Sequence, residues 1–99
     1  MSNYYSEKVF YMKTMANRAS LLIKKLGPKR LSEEGGDYER WRNISKGAIR
    51  ISTDEMDVLV KLHPHYALWL ASGHIAPECG QTSPEYDEAH RNLPNQSAG

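Results

Sequence analysis

Apolar residues recur along the chain at intervals of three and four rather than two, which is the spacing of helices with one buried face. Met12, Met15, Ala19, Leu22 and Leu26 share one side of a helix predicted over 6–26, with Ser6 as its cap and Glu7 in its first turn. Arg18, Lys24 and Lys25 fall on the opposite, polar side. Gly27-Pro28 ends this helix, because glycine suits a left-handed cap and proline cannot continue. From Gly27 to Gly36 only Leu31 is apolar: Leu31-Ser32-Glu33-Glu34 predicts one helical turn and Gly35-Gly36 a break.

The pattern then sharpens. Asp37 to Ser45 predicts a helix capped by Asp37 or Gly36, with Tyr38, Trp41 and Ile44 on the packed side and Glu39, Arg40, Arg42 and Asn43 on the other. Ser52-Thr53-Asp54-Glu55 is a capping box, and Ile51 and Met56 are placed as a hydrophobic staple, so Ser52 to His63 predicts a helix. Its stripe is Met56, Leu59 or Val60, and Leu62. Pro64 stops it and starts the next, whose packed face is Tyr66, Trp69 and Leu70 and whose cap is Gly73. Ser83-Pro84-Glu85 predicts a short helix over 84–92. The expectation is an all-α bundle of four to five short helices: a helical domain over 1–76 and a polar C-terminal tail over 77–99.

Composition narrows the class. Ninety-nine residues make at most one domain, and from Pro77 onward Leu93 is the sole Leu, Ile, Val or Phe. No apolar run is long enough to span a membrane, and Met1 to Tyr5 starts no secretory signal. A cytoplasmic protein is expected, and a single cysteine, Cys79, fits a reducing compartment. The net charge of +1 hides an asymmetry: eleven basic residues stand against five acidic ones up to Arg50, and two against seven thereafter. Charge divided in this way points to a polyanion on one side.

Of the chemistries this chain could carry, nucleic-acid binding has the best residues. His63, His65, His74, His90 and Cys79 occur without metal-ligand spacing, so no metal or cofactor is expected. No nucleophile motif or glycine-rich phosphate loop is present, so the chain does not read as an enzyme. Glu39 to Gly47, by contrast, displays Arg40, Arg42, Asn43 and Lys46 opposite Trp41 and Ile44. Arginine pairs with guanine, asparagine with adenine and lysine with phosphate, on a helix short enough for the major groove.

Arg40-Trp41-x-Asn43-x-x-x-Gly47, Arg50-Ile51-Ser52 and Tyr66-x-x-Trp69-Leu70-x-x-Gly73 resemble the second half of a Cro/C1-type helix-turn-helix domain, the lambda repressor-like XRE family. The tail from Ile75 to Glu88 is similar to that of small DNA-binding proteins of proteobacteria and their prophages. The resemblance covers about Ala19 to Ala89, and departs from the family in a shortened second helix. It implies a sequence-specific transcriptional regulator of phage or prophage type, acting on double-stranded DNA at the nucleoid as a homodimer. Carried over by position, Gly36, Asp37, Arg40, Arg42 and Asn43 would approach base edges. Lys29, Arg30, Lys46 and Arg50 would meet phosphates. Trp41 and Tyr38 are assigned to packing. The alternative is a protein-binding adaptor or antirepressor on the same fold, using a protein partner in place of DNA.

Overall fold

The computed structural model describes residues 14–91. The first described helix, α1 (Met15–Leu26), starts later than its apolar stripe predicts. Thr14 has extended backbone, φ −96° and ψ 151°, and its Oγ1 accepts the Asn17 N–H at 3.1 Å. A capping residue with extended backbone does not lie inside a continuous helix, so α1 begins at Met15; the part of the predicted 6–26 helix before Thr14, with Met12, lies outside the described residues.

Ala19, Leu22 and Ile23 form the buried face of α1, while Met15 is 43% exposed. Arg18 is the correction on this helix. It lies buried rather than on the solvent side, and its Nε donates to the Leu70 carbonyl at 3.1 Å. That carbonyl belongs to the last turn of a later helix and would otherwise lack a partner. Burial lowers the Arg18 pKa.

Gly27, at φ 93°, closes α1 and opens α2 (Pro28–Glu34), with Pro28 at its first position. The Leu31 N–H bonds the Gly27 carbonyl at 3.2 Å, so the predicted single turn extends back to Pro28. Leu31 is fully buried and anchors this otherwise polar helix. Next come α3 (Tyr38–Ser45) and α4 (Thr53–Leu62). The capping box at Ser52 and Glu55 is present as expected. After Pro64 the chain makes a 3-10 turn over Pro64–Tyr66 before α5 (Ala67–Ser72), where one helix was predicted. Gly73, at φ 84°, is the left-handed cap.

Leu22, Ile23, Leu31, Trp41, Ile44, Leu59 and Leu70 are completely buried, and Tyr66 and Trp69 nearly so. One core therefore joins α1 through α5. The described residues hold six α-helices and no strand, the last being α6 (Pro84–Arg91). Their architecture is the expected compact all-α bundle, with six α-helices where four to five were expected.

Residues 77–91 are fastened to that bundle mainly by polar contacts. Ala76 and Gln81 pair in both directions, at 2.8 and 3.1 Å, around a 3-10 turn over Pro77–Cys79. The Gln81 side chain accepts from the Leu68 N–H at 2.9 Å and donates to the Pro64 carbonyl at 3.1 Å. Tyr66 Oη donates to Asp87 at 2.9 Å, and Lys25 pairs with Glu88 at 2.7 Å. Ser83 and Pro84 are buried at the start of α6.

Candidate nucleic-acid interface

The two glycines before α3 determine how that helix joins α2. The Trp41 indole Nε1 donates to the Gly35 carbonyl at 2.8 Å. Gly36 has φ 85°, and a Cβ there would stand 2.9 Å from Trp41 Nε1. Only glycine satisfies both conditions, so the indole is seated against its own turn. Asp37 then caps α3, its Oδ2 accepting the Arg40 N–H at 3.3 Å. From the other side, Ser20 of α1 donates to the Ile44 carbonyl at 3.1 Å. α3 is thereby tied to its own leading turn through Trp41 and to α1 through Ser20.

With Trp41 and Ile44 inward, residues 39, 42, 43 and 46 fall on the opposite side, three and four apart. Arg42 and Lys46 are exposed and Asn43 is partly buried. Glu39 shares this face and pairs with Arg42 at 3.6 Å. Tyr38 departs from its expected packing role, being 45% exposed; the core contacts of α3 begin one turn later, at Trp41. Gly36 and Asp37 are exposed at the helix start.

Arg40 points elsewhere. Its Nε and Nη2 bond the two carboxylate oxygens of Glu55, at 2.5 and 2.8 Å. The Glu55 side chain is only 8% exposed, and its Oε1 also accepts the Ser52 N–H and hydroxyl, both at 2.9 Å. The Arg40 hydrogen bonds, aided by Ser52, hold the Glu55 carboxyl down at about 2 despite its burial. A bidentate arginine–guanine contact discriminates by about 1–3 kcal/mol. Stripping a buried carboxylate of its partner costs about 3–5 kcal/mol, reduced here because Arg40 is itself half-exposed. The pair with Glu55 is the stronger claim on Arg40.

The expected phosphate-contacting residues lie before and after α3 in the chain. Lys29 and Arg30 are exposed on α2, with Arg30 at 4.0 Å from Glu34. Lys46 caps the end of α3, and exposed Arg50 follows it in the loop to α4. Arg50 edges a cleft of about 340 Å³ lined by Met15, Ala16, Ile51 and Met56. Sequence reasoning missed Glu55 as a partner of this surface, although its capping role was legible; nothing local signals a contact 15 residues away. It placed Glu39 on the outward face by the helical period but gave it no role beside Arg42, with which it pairs.

Among the described residues no three metal-ligating side chains converge, and no helix is long and apolar enough to cross a membrane. No family model and no curated protein matches the chain. Among solved structures, the chain is similar to Pf6r from the filamentous phage Pf6 of Pseudomonas aeruginosa PA01. The two share 46% identity and superpose with a TM-score of 0.74, over 87% of this chain and 99% of that one.

Proposed function

Starting from the fact that the chain belongs to the same family as Pf6r of a filamentous phage, we propose that it is a phage regulatory protein that binds double-stranded DNA sequence-specifically. In this reading α3 enters the major groove. The observation that carries it is the rigid α2–turn–α3 unit, whose α3 turns Arg42, Asn43 and Lys46 outward. Arg42 and Asn43 have the donor patterns for guanine and adenine, and Gly36 and Asp37 stand at the leading end of the helix. Lys46 and Arg50, after α3 in the chain, and Lys29 and Arg30, before it, supply phosphate contacts that set the register. A homodimer on half-sites about one helical turn apart is the arrangement that such a unit serves.

The acidic C-terminal part, which a protein-binding adaptor would use, serves in part to hold the fold. Two of its acidic groups, Asp87 and Glu88, are engaged by Tyr66 and Lys25 and hold α6 to the bundle, while Glu78 and Glu85 stay exposed. Incubation of the purified protein with sheared genomic DNA of its host and phage, recovery of bound fragments and sequencing tests the proposal. Enrichment of a few discrete sites sharing a motif is expected. Uniform recovery of all fragments, or none, would contradict it.

A further inference from the structure

The Arg40 guanidinium sits on α3 beside the residues proposed to read DNA, yet its Nε–Nη2 fork is closed on Glu55. That fork is what a guanine edge would need. Glu55 is in turn fixed by the N-cap of α4: Ser52 gives it both its N–H and its hydroxyl, and the Ser52 hydroxyl accepts the Glu55 N–H at 3.2 Å. Arg40 therefore ties the middle of α3 to the first turn of α4, across the loop over 46–51. The two ends of α3 have their own attachments, at Gly35 through Trp41 and at Ile44 through Ser20. Trp41 and Ile44, both fully buried, fix the inward face of α3, and the Arg40–Glu55 pair adds a second side contact, toward α4. Arg40 stands three residues from Asn43 and two from Arg42, so any roll of α3 that moves Arg40 moves both of them.

We infer that Arg40 is a positioning residue rather than a base reader: its bidentate pair with Glu55, added to the buried anchors Trp41 and Ile44, completes the setting of the roll of α3 and so aims Arg42 and Asn43 at the groove. The inference rests on the DNA-binding reading. Released from Glu55, Arg40 would leave a buried carboxylate with only Ser52 for company, so it stays in place when DNA arrives.

The experiment is a double-mutant cycle on DNA binding with wild type, Arg40→Ala, Glu55→Gln and the double variant. Each is titrated against the preferred site and its single-base-pair variants, at fixed salt. The fraction of competent protein is measured in parallel by stoichiometric titration. Both single variants are expected to weaken the preferred site by a similar factor, on the order of tenfold, and the double variant no more than either. A purely structural role would lower the competent fraction and leave Kd at the wild-type value, which would overturn the inference. It is equally overturned if Arg40→Ala loses preference at one base pair while Glu55→Gln binds like wild type, for then Arg40 reads that base. Arg40→Lys, which keeps the charge without the fork, replaces Arg40→Ala if that variant does not fold, with the same weakening expected. A wild type that binds none of the DNAs overturns the DNA-binding reading itself, whereas a wild type that binds beside unaltered variants overturns only the positioning role.

Discussion

Trp41 Nε1 donates to the carbonyl of Gly35, six residues earlier, at 2.8 Å, so α3 is attached by its core tryptophan to the turn that introduces it. The angle between α2 and α3 then depends on one indole and two glycines. A buried indole N–H without a partner would cost about 1–3 kcal/mol, so the bond serves both fold and geometry.

Gly36→Ala tests this attachment. Its φ of 85° disfavours any side chain, and the new Cβ would meet Trp41 Nε1 at 2.9 Å. A loss of about 1–3 kcal/mol is expected in urea unfolding. Gly47→Ala is the control: it shares the positive φ, at 82°, but its Cβ would meet nothing within 4 Å, so its cost should be smaller.

Glu55 gives the protein an acid-sensitive element. Its carboxyl is held at about 2 when folded, against an ordinary 4.5, so the folded state favours the charged form. The stabilisation is complete above the ordinary value and is lost as pH falls from about 4.5 toward 2. Its size is on the order of 2 kcal/mol after allowing for the exposure of Arg40. Stability measured from pH 6 to pH 2 should fall in that window, and Glu55→Gln should flatten that part of the profile.

Elements built from local signals were legible in the sequence. The Ser52 capping box and the Ser83-Pro84-Glu85 helix start lie within three or four residues of chain, and both stand where they were expected. Legibility failed where a polar group answers to a distant one. Arg18 reads as surface because the Leu70 carbonyl it serves lies 52 residues away. The attachment of residues 77–91 was hidden for the same reason, since Gln81, Asp87 and Glu88 make contacts that leave no apolar stripe. Of the interface, the outward placement of Arg42 and Lys46 was readable from the period of α3, and the diversion of Arg40 was not.

Tyr66→Phe should loosen α6. The phenol donates to Asp87 at 2.9 Å, and burial, with that bond, pushes its pKa up to about 12. Loss of the bond costs about 0.5–1.5 kcal/mol. The Lys25–Glu88 pair that remains lies at the surface, where screening leaves it little strength. Amide hydrogen exchange over Tyr86 to Arg91 should accelerate, while that of α3 stays at the wild-type rate.

Substitutions on the outward face of α3 should separate reading from holding. Arg42→Ala and Asn43→Ala are each expected to cost about 1–3 kcal/mol at the preferred site and to relax preference at single base pairs. Lys46→Ala should weaken all sequences about equally and lower the salt slope by about one. Competition binding with single-base-pair variants distinguishes the two patterns.

The most direct test of the account is a fluorescence-anisotropy titration of the wild-type protein against DNA upstream of its own gene. It would be run at low and moderate salt, with scrambled competitor. Saturable binding that survives the competitor and weakens steeply as salt rises is the predicted result, because several phosphates must be neutralised. Absence of binding at low salt, or binding that the competitor abolishes, would contradict a sequence-specific DNA-binding function.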